Sequence, residues 1–421
     1  MSPRTEGTLL ANIMLMKGLR YVRKFDRNLW ILSLGWLVSA IGFAASLPFI
    51  AIYFHDEFGL SMTDIGLFYG VMAVVRSVFQ AVGGEISDRI ERLQLLIYSQ
   101  YARAIAFLGL SVSIYLNWGF LWVATFLFIN SIFGSIFQPV ANAMVSDILP
   151  KEQRLDGYAI TRSAGNLGWA IGPAIGGFLA ATSYAILFLI SSGLVLVSGT
   201  IVLLFMNSQP SEKISERFNI KDIVAVKDDS NLAIHVSLLF ILYLVVAQLI
   251  VPFSVYTVNI AGISETQLGF LFTLNGLLVV ALQVPVTHWL SKWPLTAQLA
   301  IGSLLYAIGY SLVGAFTNFG FFAIIITVVT VGEVFMSPPA LTLTSRLAPS
   351  GRMGRYMGIH GFFLSAGWSF GPLYGGVLLD TFPDKPIVAW MLISSLALVS
   401  FVGYIIFQKR LPRKVNIKEQ M

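Results

Sequence analysis

The chain has 421 residues, 56% of them hydrophobic and only 11% charged, against about 25% charged in soluble domains. That balance makes a lipid bilayer the solvent to reason in, and the long uninterrupted apolar runs exclude a β-barrel, whose strands alternate. Cysteine is absent, which excludes disulfide frameworks, thiolate metal sites and cysteine nucleophiles.

In chain order, the first 29 residues are basic (Arg4, Lys17, Arg20, Arg23, Lys24, Arg27) and have no small-residue cleavage site after a short apolar core, so a removable signal peptide is not expected. The stretch LLANIMLMKGLRYVRKF predicts a helix lying on the membrane surface, with a solvated tail as the alternative. A hydrocarbon core of about 30 Å needs roughly 20 apolar residues per helical crossing. Runs of that kind fall at about 30–54, 63–85, 94–116, 119–148, 157–180, 184–207, 233–258, 266–290, 295–316, 319–347, 356–379 and 386–408. They predict an all-α membrane protein with twelve transmembrane helices. The one long polar break runs from Asn207 to Asn231. The expected division is a segment 1–29, a six-helix bundle 30–206, a linker 207–231, a second six-helix bundle 232–408 and a tail 409–421.

Lysine and arginine bias sets the expected orientation. With the N-terminus inside, 24 of the 27 basic residues are cytoplasmic; Arg76 and Arg103 lie within helices and Lys385 alone is outside. Both termini, the linker and the tail are therefore expected in the cytoplasm, with the chain in the inner (plasma) membrane of a cell. The net charge of +6 reads as this bias and as attraction to anionic lipid, not as nucleic-acid binding.

An internal repeat relates the two bundles. GWAIGPAIGG at 168–177 recurs as GWSFGPLYGG at 367–376, an offset of 199 that also carries Pro139 to Pro338, Ala141 to Ala340, Ser146 to Ser345 and Pro150 to Pro349. Duplication of a six-helix unit accounts for this, and two pseudo-symmetric halves with a site between them form a transporter architecture.

Gly168, Gly172 and Gly176 recur every four residues and form a smooth stripe on the fifth helix, matched by Gly367, Gly371 and Gly375 on the eleventh; Gly177 and Gly376 extend the pair. Pro173 and Pro372 remove a backbone donor and bend their helices. Close packing alone explains the stripes; a rocking interface also needs such a surface. In the turn between the second and third helices, GGEISDRIERL supplies Gly84, Asp88, Arg89 and Arg92, able to meet a helix N-terminus, carboxylates or lipid phosphates, or to serve as a charged membrane edge.

These motifs resemble those of the major facilitator superfamily. GGEISDRIER is similar to that family's GxxxDRxGRK loop, with Glu91 standing where the loop has glycine, and GWAIGPAIGG is similar to the GxxxGPxxGG motif of its drug/proton antiporters. The resemblance covers all twelve helices and is strongest to bacterial twelve-helix multidrug exporters. It implies alternating access, no cofactor and a monomer. The fourth helix lacks the family's intramembrane arginine.

Polar groups inside a membrane are costly and mark function. Glu333, in VTVGEVFMSPPA, is the only carboxylate deep within a span; the resemblance links its Gly332–Glu333 pair to proton coupling, while a permanent ion pair is the structural alternative. Arg76 and Arg103 are expected to bind an anionic substrate group, serve as counter-charges or organise the first half. Gln80, Asn130, Gln138, Asn142, Arg162, Asn166, Gln248, Asn275, Gln283 and His360 are the other cavity candidates. Asp147 and Arg346 sit at equivalent positions of the repeat and are gate candidates, as an ion pair between halves or as solvated edge charges. His288 and His360 are too isolated to suggest a metal site.

No GxxxxGK[ST] loop and no serine, histidine and acid arrangement occurs, so an ATPase or other enzyme is a poor fit. The expected function is a secondary transporter exporting amphipathic or hydrophobic small molecules against proton entry. A transporter of one metabolite, such as a sugar, siderophore or lysolipid, and a transport-dead sensor or scaffold are the alternatives.

Overall fold

The computed structural model describes residues 25–87, 90–150, 153–207, 229–349 and 352–417. The surface helix expected near the N-terminus and most of the linker lie outside the described residues, as do Asp88 and Arg89. Among the described residues twelve long helices and no strand occur: α1 (Arg27–Phe58), α2 (Met62–Ser87), α3 (Arg92–Tyr115), α4 (Phe120–Ile148), α5 (Arg154–Ala180), α6 (Tyr184–Phe205), α7 (Ser230–Ile260), α8 (Glu265–Trp289), α9 (Leu295–Ser311), α10 (Phe319–Leu347), α11 (Met353–Thr381) and α12 (Pro386–Arg410). A last turn, α13 (Arg413–Asn416), follows. Eleven of the twelve are long and apolar enough to cross a membrane by composition. The exception, α5, is diluted by its glycines and by Thr161, Arg162, Ser163 and Asn166.

The helices start where the polar breaks supply acceptors for the orphan N–H groups of a first turn. Asp26 accepts from the Asn28 amide at 2.7 Å, Asp229 from Asn231 at 2.9 Å and Leu232 at 3.2 Å, and Asn318 from Gly320 at 2.7 Å. Ser264 and Gln267 form a reciprocal capping box at the start of α8. Gly59, at φ 61°, closes α1 in the left-handed conformation that a side chain disfavours. Helix α7 is broken: it passes through a 3-10 turn at Ala247–Leu249, restarts at Pro252 and ends in a π-turn at Tyr256–Ile260. Gln248 donates to the carbonyl oxygens of Leu244 at 2.6 Å and Gly371 at 2.8 Å, so a side chain satisfies backbone groups at the break.

Packing repeats with the sequence. Within the first half α1 lies on α5 and α6, α3 on α4 and α6, and α2 on α4; within the second, α7 lies on α11 and α12, α9 on α10 and α12, and α8 on α10. The principal contacts between halves are α5 with α8 and α2 with α11, which the same two-fold relation exchanges. The glycine stripes are part of this internal packing. A Cβ on Gly172 would lie 2.8 Å from the Ala44 Cβ of α1, and one on Gly371 2.5 Å from the Ala247 Cβ of α7. The stripes thus bind each half together, and it is the adjoining Gly177 and Gly376 that face the other half, at Glu265 and Met62 respectively.

Candidate functional site

The two halves meet at one end only. Among the described residues four hydrogen bonds join them, all at the end away from the chain termini: Asp380 accepts from the Met62 amide at 3.1 Å and the Thr63 amide at 2.6 Å, Thr266 donates to the Gly177 carbonyl at 3.3 Å, and Asn259 donates to Asp56. The apolar core follows the same pattern. One buried cluster draws on both halves at that far end, with Phe49, Phe54, Phe253 and Leu271, and continues within the second half alone toward the termini, to Leu343 and Phe407. At the termini end the core splits into a first-half cluster around Leu29, Phe137 and Val145 and a separate second-half cluster around Leu232, Val236 and Ile359. A cleft therefore runs between the halves, closed at the far end and open toward the termini.

The first-half wall of this cleft is cationic. Arg162 and Asn166 lie on the face of α5 that carries Pro173 and Ala170, which pack against Gly269 and Gly276 of α8; both side chains lie beyond that contact, toward the termini, and are exposed. Arg76 is exposed on α2 two turns below Tyr69, whose hydroxyl donates to the Leu47 carbonyl of α1 at 3.2 Å, and its charge is felt at Arg103. Gln80 and Gln138 are exposed at the same level of α2 and α4, and Asn142 is half-buried. Neither Arg76 nor Arg162 makes a hydrogen bond or ion pair among the described residues.

Arg103 stands behind this wall. Only 4% exposed, it donates to Ser39 of α1 at 3.0 Å, Gln100 of its own helix at 2.9 Å and Asn130 of α4 at 3.3 Å, with its guanidinium 5.6 Å from the Phe43 ring. Gln100 passes the chain on to Ser198 of α6 at 2.8 Å, and Ser198 to the Gly35 carbonyl at 2.7 Å. Every partner is neutral and four helices are joined, so of the three roles open to Arg103 the geometry supports organisation of the first half.

The second-half wall holds one carboxylate. Glu333 is half-buried on α10; Asn275 of α8 donates to it at 3.2 Å and to Thr330 at 2.9 Å. No basic side chain among the described residues pairs with it, contrary to the permanent ion pair offered as its structural alternative. The charges of Glu333 and Arg162 both act on Tyr243 of α7. Gln283 bridges α8 and α10 through Thr287 at 3.1 Å and the Val334 carbonyl at 3.5 Å.

Other expected residues lie elsewhere. Gln248 is fully buried between α7 and α11 and does not face the cleft. His360 is also buried: its Nδ1 meets Thr344 at 2.9 Å, Thr344 lies 3.1 Å from His235, and Tyr404 closes the group on His235 at 3.3 Å. His360 is thus not isolated, although this pair has no third metal-ligating side chain among the described residues. The gate candidates do not meet each other. Asp147 accepts from Arg92 at 2.6 and 2.7 Å in a buried pair that ties α3 to α4 within one half, while Arg346 donates to the Val415 carbonyl at 3.2 Å. They are neither an ion pair between halves nor, for Asp147, a solvated edge charge. Gly84 lies inside the last turn of α2, not in the connecting loop. Sequence reasoning missed Asp380, Tyr243 and the Ser39–Gln100–Ser198 chain; none carries a motif, and the repeat places alanine opposite Asp380.

A helical membrane protein in two related halves around a one-sided cleft is the architecture of a secondary transporter. The sequence profile of the Major Facilitator Superfamily matches residues 32–260 and 236–421, and the chain belongs to that family of transporters. It is 28% identical over 406 residues to the uncharacterized MFS-type transporter YttB of Bacillus subtilis, covering 94% of this chain and 98% of the relative. It is 25% identical over 403 residues to the multidrug resistance protein MdtH of Salmonella paratyphi B, covering 92% and 97%. Among solved structures, a bacterial homolog of the human lysosomal transporter Spinster, in an inward-facing and unoccupied conformation, aligns with a TM-score of 0.74 at 13% identity, covering 93% of this chain and 98% of that one. A POT family transporter in complex with 5-aminolevulinic acid aligns at 0.75 and 14% identity, covering 91% and 96%.

Proposed function

We propose that this transporter works by alternating access and couples proton entry to the efflux of amphipathic or hydrophobic small molecules, with Glu333 as the proton carrier. The basic-residue bias supports cytoplasmic termini and an inner-membrane setting, and the chain acts as a monomer; in that orientation the cleft is open inward. The observation that carries the reading is Glu333 itself, a membrane-embedded carboxylate held, among the described residues, only by the Asn275 amide and facing a cleft whose first-half wall is cationic.

The charge on Glu333 supplies a switch. Ionised, it attracts Arg162 across the cleft and favours closing the inner end; protonated, it releases that attraction and favours the inward-open form. A proton taken up from outside thus returns the transporter to face inward, and its loss to the cytoplasm prepares the outward step. Attraction between charges at an intermediate dielectric is worth a few kcal/mol, and moving an equilibrium from 1:99 to 99:1 requires about 5.5 kcal/mol, which proton and substrate share. The multidrug label of the MdtH relatives supports efflux as the direction.

The test is transport by the full chain in proteoliposomes under an imposed pH gradient. Wild type is expected to move amphipathic compounds, with flux lost when an ionophore collapses the gradient and lost in Glu333→Gln. Gradient-driven flux that survives Glu333→Gln removes Glu333 from the mechanism.

A further inference from the structure

We propose that the substrates carry an acidic group, a carboxylate or a phosphate monoester, on an apolar body, and that Arg76 binds that group. The proposal deepens the reading above, because it rests on this cleft being the transport site.

It follows from the charge inventory of the embedded segments. Arg76, Arg103 and Arg162 project from the first half, and Glu333 alone opposes them from the second. Arg103 is accounted for by its neutral hydrogen-bonding shell. Glu333 matches one further guanidinium, Arg162, whose charge meets its own at Tyr243. Arg76 remains: a cation exposed to the cleft, without hydrogen bond or ion pair among the described residues. An ionisable group held within a membrane is costly, and it normally faces a partner. The described residues supply none, so the missing anion is the ligand.

The same arithmetic explains why an empty carrier resists the outward step. Closing the inner end shuts Arg76 into a space from which water is excluded, and an unpaired charge there costs several kcal/mol. A bound anion removes that cost, and a cation adds to it. A planar guanidinium also gives a carboxylate or phosphate two parallel hydrogen bonds, which a neutral amphipath cannot accept in charged form. An anion leaving the cell as a proton enters transfers two charges in the direction favoured by an inside-negative potential, each worth about 2.3 kcal/mol per 100 mV.

The experiment measures binding to the full chain in nanodiscs with probes that share one apolar body: 2-naphthoate, 2-naphthamide and 2-naphthylmethylammonium. Lauroyl lysophosphatidate provides a membrane-derived anion and inorganic phosphate an anion with no apolar body. The acid or the lysophosphatidate is expected to bind at least tenfold more tightly than the amide and the ammonium probe, and whichever of the two binds identifies a free acid or a lipid as the source. Arg76→Gln is expected to weaken that anion about tenfold or more, as for loss of a charge-assisted hydrogen bond, Arg76→Lys to restore part of it, and the amide to be unaffected. The proposal is overturned if the ammonium probe binds as tightly as the acid, if Arg76→Gln weakens all head groups alike, or if neither anion binds. If the ammonium probe is nevertheless driven across proteoliposomes by a pH gradient, proton-coupled transport stands and only the anionic substrate falls. If no compound is driven at all, the proposed function falls with it.

Discussion

The inside of each half and the surface between the halves are built to different rules. Within a half, glycine stripes bring helices to backbone contact, and Arg103 in one half and the His235–Thr344–His360–Tyr404 group in the other join four helices by hydrogen bonds. Between the halves, hydrogen bonds gather at the far end, and Arg76, Arg162 and Glu333 form no ion pair among the described residues. Tight, satisfied packing makes each half a unit; a thin seam with unspent charge is what the proposed movement of the units against each other requires. Gly172 and Gly177 show the contrast five residues apart on one helix, the first locked onto α1 and the second touching α8.

Substitutions on the two sides of that divide are expected to act differently. The largest effect belongs to the stripes. Gly172→Leu and Gly371→Leu each drive a side chain into a facing helix backbone, which costs about 2 to 3 kcal/mol or prevents folding, seen as a lowered melting temperature and poor recovery in size-exclusion chromatography; unchanged stability would mean that the stripes are a sliding surface after all. Arg103→Leu comes next. Three intramembrane hydrogen bonds at about 0.6 kcal/mol each give a loss near 2 kcal/mol, with Asn130, Gln100 and Ser39 left unpaired. Thermal unfolding checks it, and a variant with normal stability but abolished ligand binding would move Arg103 from scaffold to site.

The smallest effect on folding, and the most specific on conformation, is expected of Asp380→Ala. Asp380 caps the N-terminus of α2 from the opposite half, and losing a cap costs about 1 kcal/mol, roughly a fivefold shift in a two-state equilibrium. Because Ser61 and Asp64 cap the same turn locally at 2.8 to 3.3 Å, α2 itself should survive. Spin labels on cysteines introduced at the far ends of α2 and α11, in a chain with no cysteine of its own, should report a larger share of molecules open at that end. An unchanged distance distribution would remove Asp380 as a latch.

Much of the fold was legible because hydropathy and an exact internal offset are properties of the chain in one dimension. Hydropathy placed the helices, and the polar breaks held the caps that end them. The offset paired α5 with α11 before any contact was known. What it did not reveal is which face of a helix meets which neighbour. Gln248 and His360 read as cavity residues because both are polar and embedded, yet they spend their hydrogen bonds inside one half. Arg92 and Asp147 came from separate motifs and proved to be partners, since a helical hairpin brings the two inner ends together. Asp380 was invisible because its role depends on the other half's backbone, and Glu333 was legible because a lone carboxylate in a span stands out in any reading.

The most direct test of the account separates movement of the halves from coupling to protons. Proteoliposomes of wild type and Glu333→Gln are compared for exchange of labelled against unlabelled substrate without a gradient, and for accumulation under a pH gradient. The account predicts that Glu333→Gln retains exchange, slowed because a neutral side chain favours the inward-open form, and loses pH-driven accumulation. Accumulation that persists in Glu333→Gln would contradict it.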